Sequence, residues 1–164
     1  MGMKVFNTTG VCYADEHYMV DLTERLEAIR KMIDRGKYFV INRARQYGKT
    51  TLLHALSNAL CEDYVVVQMD FQKLGTASFE NETIFTKVFS KFFWKAVETE
   101  IALKADMSKT ELGERIRNAI SLSELFEEVS LLCGASEKPI VLMIDEVDSA
   151  SNNQVFLDFL AQLR

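Results

Sequence analysis

The sequence predicts an α/β fold, a parallel β-sheet with helices on both faces, and three observations predict it. Three short apolar runs, KYFVI (Lys37 to Ile41), YVVVQM (Tyr64 to Met69) and IVLMI (Ile140 to Ile144), are rich in β-branched residues and do not alternate. That is the pattern of strands buried on both faces, as in a parallel sheet covered by helices. Between the runs lie segments with apolar residues at helical spacing, so strands and helices alternate and right-handed crossovers are expected. Six residues after the first run, glycine, lysine and threonine at positions 48–50 open a helical pattern.

Each element has its own local reason. Asp21 followed by Glu24 is a capping-box start, and Leu22, Leu26, Ile29 and Ile33 form a stripe that stops at Gly36, the expected C-terminal glycine. From Thr50 to Leu60 a second helix carries Leu52, Leu53, Leu56 and Leu60 on one face. A long helix is expected from Asn81 to Leu103, with Ile84, Val88, Phe92 and Ala96 beside Phe85, Phe89, Phe93 and Val97. Trp94 falls opposite this stripe, among Lys87, Lys91, Lys95 and Glu98, and is expected at a partly covered rim or a partner surface. Residues 104–120 read as a loop with a short helix. Ser121 and Glu124 make another capping box for a helix running to Gly134, and Asn152 to Arg164 form a last helix with Val155, Phe156, Phe159, Leu160 and Leu163 apolar.

Length and composition narrow the function classes. The 164 residues correspond to one ordinary domain or a piece of something larger. With 48% hydrophobic and 26% charged residues the chain is not of disordered type. Nineteen basic residues against 24 acidic ones give a net charge of −5, which argues against a generic polyanion binder. Cys12, Cys61 and Cys133 are odd in number and include no C-x-x-C pair, so neither a disulfide framework nor a zinc site is expected. No stretch has the form of a signal peptide or membrane span, and Phe6 stands where N-myristoylation requires serine or threonine. A soluble, cytoplasmic protein without a membrane partner is expected.

The segment NRARQYGKTTLL, Asn42 to Leu53, has the context of a Walker A phosphate loop: strand, loop, then Gly-Lys-Thr opening a helix. Backbone N–H groups of such a loop form an anion nest. Gly48 permits close backbone approach, Lys49 places an ammonium between the β- and γ-phosphates, and the Thr50 hydroxyl takes Mg²⁺. Arg45, Gln46, Tyr47, Gly48, Lys49, Thr50 and Thr51 are the expected nucleotide-binding residues. Arg45 and Gln46 either reach phosphate or decorate a solvent-facing loop. One departure stands out: the first glycine of the G-x-x-x-x-G-K-[ST] pattern is replaced by Arg43.

At the end of the third apolar run stand Asp145 and Glu146. A carboxylate at the C-terminal end of a parallel strand points into the crevice where α/β sheets bind ligands. Asp145 is expected to hold Mg²⁺ with Thr50, and Glu146 to polarise the attacking water as general base beside the catalytic Lys49. A paired Asp-Glu fits hydrolysis better than a small-molecule kinase, in which activated water would waste the nucleotide. No [NT]-K-x-D guanine motif is present, so ATP is preferred over GTP. Asp70, at the end of the second run, is expected either near Mg²⁺ or as a cap for the following turn.

These residues together resemble the predicted AAA-ATPase-like family of bacteria, a P-loop NTPase group related to AAA+ and STAND-type ATPases. The resemblance spans nearly the whole chain: VCYADEHYMVDLTERL (Val11 to Leu26), GKYFVINRARQYGKTTLL (Gly36 to Leu53), VVVQMDFQKLG (Val65 to Gly75) and VLMIDEVD (Val141 to Asp148). The family tolerates Arg43 in place of the first glycine. What it implies is an α/β/α P-loop domain that binds ATP and Mg²⁺ and hydrolyses ATP. It also implies a leading segment, residues 1–20, that passes near the adenine, with Tyr18 or Met19 as base contact; His17 beside them is either an ordinary surface histidine or a ligand contact. Members often carry a C-terminal PD-(D/E)XK nuclease-like domain, so a nuclease-like domain, further subunits and nucleic acid are partners by resemblance alone. The alternative is an ATP-binding regulatory switch with negligible hydrolysis. Because three strands fall short of the usual parallel sheet, and the last helix is uncapped, residues 1–164 are expected to be an incomplete domain of a longer protein.

Overall fold

The computed structural model describes residues 21–42, 48–104, 108–147, 150 and 152–163. The chain divides into two compact units, Met1–Glu62 and Asp63–Arg164.

In the first unit, α1 (Thr23–Ile33) and α2 (Lys49–Leu60) pack on one another. The Arg30 guanidinium donates to the Ala59 carbonyl at 3.1 Å. The start of α1 is held by Asp21, whose Oδ1 accepts from the Thr23 hydroxyl at 2.7 Å and the Thr23 N–H at 2.9 Å. Its end is a Schellman motif: the Lys37 N–H returns to the Met32 carbonyl and the Gly36 N–H to that of Ile33, with Gly36 at φ 62°. The expected C-terminal glycine is therefore in place.

The first expected strand is not one. Residues 37–42 carry no regular structure, and Tyr38 and Val40 are 65% and 86% exposed. A strand exists through a neighbour's hydrogen bonds as much as through its own residues. Among the described residues, Lys37 to Ile41 has no ladder partner and no covering layer, so β-branched content alone does not order it.

The second unit holds the other two expected strands, β1 (Val65–Asp70) and β2 (Ile140–Asp145). They pair in parallel, from Val65 opposite Ile140 to Asp70 opposite Asp145. A parallel pair needs a crossover. Here it contains α3 (Glu82–Val97), α4 (Lys109–Asn118) and α5 (Leu122–Ala135), and α6 (Gln154–Gln162) follows β2. Two short 3₁₀ turns, Phe71–Lys73 and Thr76–Phe79, bridge β1 and α3.

Side chains alternate along β1. Val65, Val67 and Met69 are buried while Gln68 is exposed. Phe71 meets Phe89 of α3 and Phe156 of α6, Phe79 meets Phe85 and Phe156, Phe89 stacks on Phe93, and Phe159 of α6 meets Phe85 and Phe89, at ring-centroid distances of 4.6 to 6.4 Å. The tilted and edge-on pairs among them suit the ring quadrupoles.

Two expectations about α3 change. It ends at Val97 rather than Leu103, because the following chain exchanges helical bonds for a bridge between Leu103 and Ser136. There the Lys104 N–H reaches the Ala135 carbonyl at 2.9 Å, and the Glu137 N–H reaches that of Ala102 at 3.0 Å. Trp94 is not a rim or partner-surface residue but 3% exposed, because α4 lies over the side of α3 that the periodicity left to solvent. Gly113 of α4 faces the indole with no room for a Cβ, and the Arg117 guanidinium stands 6.0 Å from the ring centroid. Half of the capping box expected before α5 is in place: Ser121 Oγ accepts from the Glu124 N–H, while Glu124 reaches back past the cap and accepts from the Ile120 N–H at 2.9 Å. No helix among the described residues is long and apolar enough to cross a membrane.

Candidate functional site

Gly48, Lys49 and Thr50 belong to the first unit. Gly48 is the N-cap of α2 at φ 70° and ψ 28°, a left-handed backbone that glycine adopts freely. Among the described residues a Cβ there would meet nothing within 4 Å, so what they demand of this position is its dihedral angles and not space. The Leu52 N–H then bonds the Gly48 carbonyl at 2.9 Å, and Lys49, Thr50 and Thr51 make the first turn. Thr50 is exposed; Lys49 and Thr51 are half-buried.

The chemistry of this helix start differs from that of three others. Helices α3, α4 and α5 are each capped by a side chain, Asn81, Ser108 and Ser121, and each carries a glutamate in its first turn. Helix α2 has glycine at its cap, no acid in its first turn, and a lysine instead. Its dipole end and N–H groups therefore keep a positive potential suited to an anion. Leu52, Leu56 and Leu60 are buried and fix the helix along one stripe. The expected sites Arg45, Gln46 and Tyr47, together with Arg43, His17, Tyr18 and Met19, lie outside the described residues.

The acidic half belongs to the second unit. Asp145 closes β2 and is half-buried, as is Glu146. The Glu146 N–H donates to Asp145 Oδ1 at 2.8 Å. Glu146 has φ 55°, and among the described residues it is the one non-glycine with a positive φ. Nothing in the composition or periodicity signals this backbone; a neighbouring carboxylate able to accept the peptide N–H is the only hint the sequence offers.

Asp70 ends β1 at the register position of Asp145. Its Oδ1 accepts from the Gln72 N–H at 2.9 Å, and Lys73 Nζ lies 3.9 Å from its Oδ2. Of the two roles expected for Asp70, the structure displays the cap of the following turn.

Thr50 in the first unit offers a hydroxyl and Asp145 in the second a carboxylate, and oxygen donors of either kind suit a hard cation such as Mg²⁺. Among the described residues no group of three His, Cys, Asp or Glu gathers for a soft or fully protein-caged metal.

A family model described as an AAA-like domain matches residues 8–164. No curated protein and no solved structure matches the chain.

Proposed function

Because the chain belongs to the AAA-like domain family, we propose that it is a cytoplasmic P-loop NTPase that binds ATP with Mg²⁺ and hydrolyses it. The observation that carries this reading is the start of α2, where left-handed Gly48 is followed by Lys49 and Thr50 in an acid-free first turn. In the proposed reaction the N–H groups of that turn and the Lys49 ammonium hold the β- and γ-phosphates, with Arg45, Gln46, Tyr47 and Thr51 completing the loop. Thr50 and Asp145 are the residues that would hold Mg²⁺, which when bound neutralises charge on the phosphate oxygens.

Glu146 orients a water in line with the bond to be broken and takes its proton as the water oxygen attacks the γ-phosphorus. The bond to the bridging oxygen breaks with its electrons leaving on ADP, and inorganic phosphate departs. Other subunits, a nuclease-like domain and nucleic acid belong to this proposal as partners through resemblance alone.

Titration with a fluorescent ATP analogue and a phosphate-release assay test it. Lys49→Ala should cost at least about tenfold in affinity, since a charge-assisted contact of ~1.5 kcal/mol or more is removed. Glu146→Gln should bind ATP normally and hydrolyse it about 10²–10⁴-fold more slowly. Unchanged affinity in the first variant, or an unchanged rate in the second, would sink the corresponding assignment.

A further inference from the structure

We infer that Asp145 is a positioning residue for Glu146, its carboxylate pinning the peptide between them and so holding the glutamate in a left-handed backbone. The inference rests on the reading of Glu146 as the water-activating base, and it gives Asp145 a duty separate from metal ligation.

Three observations meet at this point of the chain. The register of β2 with β1 ends at Asp145. At the next peptide the Asp145 side chain provides a bond, with Oδ1 accepting the Glu146 N–H at 2.8 Å. Immediately beyond, the chain turns, with the Ala150 N–H donating to the Val147 carbonyl at 2.9 Å. With the 145–146 peptide plane pinned from one side and the turn closed on the other, φ of Glu146 absorbs the change of direction, at 55°.

A left-handed backbone is disfavoured for a residue with a Cβ, and glutamate is not among the types that visit it readily. Such conformations persist where the surroundings over-determine them, and they cluster at functional sites. Turning φ from negative to positive re-aims the Cα–Cβ bond relative to the strand. The direction in which the Glu146 carboxylate leaves the backbone therefore depends on the Asp145 hydrogen bond.

Amide hydrogen exchange, thermal unfolding and turnover test this in the full chain, using Asp145→Asn, which keeps a carbonyl oxygen as acceptor, and Asp145→Ala, which removes it. The Glu146 amide should be protected in the wild type and in Asp145→Asn, and should exchange at least about tenfold faster in Asp145→Ala. Adding Glu146→Gly should raise the melting temperature by about 2–4 °C in the wild-type and Asp145→Asn backgrounds, because glycine relieves the held strain. In Asp145→Ala, where the chain has relaxed, that gain should vanish. With Glu146 intact and Mg²⁺ saturating, turnover in Asp145→Asn and Asp145→Ala should fall in step with the loss of Glu146 amide protection.

Should Asp145→Ala fail to fold, Asp145→Val keeps strand propensity without the acceptor. An unprotected Glu146 amide in the wild type, or an equal effect of Glu146→Gly in every background, would overturn the positioning role. Absence of turnover in the wild type would instead overturn the ATPase reading, and the exchange and unfolding measurements would still decide the role of Asp145.

Discussion

Among the described residues, the helices of Met1–Glu62 bury aliphatic side chains, Ile29, Leu52, Leu56 and Leu60, whereas Asp63–Arg164 is built around phenylalanines. In the second unit Phe71, Phe85, Phe89, Phe156 and Phe159 touch across three separate elements, so distant segments are tied by rings. In the first unit, what defines the elements is backbone geometry at their ends, Gly36 at φ 62° and Gly48 at φ 70°. The contrast separates two ways of specifying structure. One unit is specified by core volume, and a single ring can be felt throughout it. The other is specified by turn conformation, and its most sensitive position, Gly48, is also a candidate ligand contact.

The largest expected effect breaks the ring core. Phe159 is fully buried, with ring centroids of Phe89, Phe85 and Phe126 at 4.6, 5.3 and 5.6 Å. Phe159→Ala should cost about 3–5 kcal/mol in chemical denaturation, lost transfer energy plus a cavity. A loss below about 1 kcal/mol would show that the rings do not hold the unit together.

Two glycines then sharpen the comparison, since one lacks space and the other lacks only a permitted dihedral. At Gly113 a Cβ would press into the indole of Trp94, 2.8 Å from Nε1, so Gly113→Ala should cost about 1–3 kcal/mol by overpacking. At Gly48 no described residue crowds a Cβ, and the left-handed backbone sets the penalty, about 1–2 kcal/mol for Gly48→Ala. Asparagine tolerates that backbone. Gly48→Asn should therefore be milder than Gly48→Ala, while Gly113→Asn should be worse than Gly113→Ala. Stability measured for all four variants checks the crossing pattern, and the same order at both positions would mean that the two glycines serve one purpose.

The legibility of the sequence follows the same division. Several helix ends were readable because they depend on a few adjacent residues: Gly36 ends α1 and Ser121 caps α5 as the local rules require, whereas Asp21 bonds Thr23 ahead of the N-cap Leu22 and closes no box with Glu24. The strands β1 and β2 were readable because each run finds its partner. Lys37 to Ile41 has the same composition but no partner among the described residues, and composition cannot supply one. Trp94 misled because helical periodicity reports one buried face, while α3 buries a second against α4. That contact depends on a glycine 19 positions away in sequence, which no local window sees. In the candidate site the residue types at Gly48, Lys49, Thr50, Asp145 and Glu146 were legible from spacing. The left-handed backbone of Glu146 was not, because it arises from a bond that the strand's own end creates.

The smallest expected effect lies at the first turn of α1. Hydrogen bonds from the Thr23 side chain, and then from its backbone N–H, hold the Asp21 carboxyl below its ordinary value. A carboxylate depressed in the folded state adds stability above its unfolded value, near pH ~3.9, and that contribution fades as pH falls through the lower folded value. Asp21 is fully exposed, so solvent screens the interaction, and the consequence should be local fraying of α1 and not unfolding of the unit. Protection of the Thr23 amide, taken relative to its intrinsic exchange rate at each pH, should fall on acidification through that window. Asp21→Asn keeps an acceptor oxygen and should remove this pH dependence while leaving most of the protection at neutral pH; Asp21→Ala should remove both. If the Asp21→Ala amide is as protected as the wild type, the start of α1 is held by its packing on α2, and the first unit is specified by its core more than by the ends of its helices.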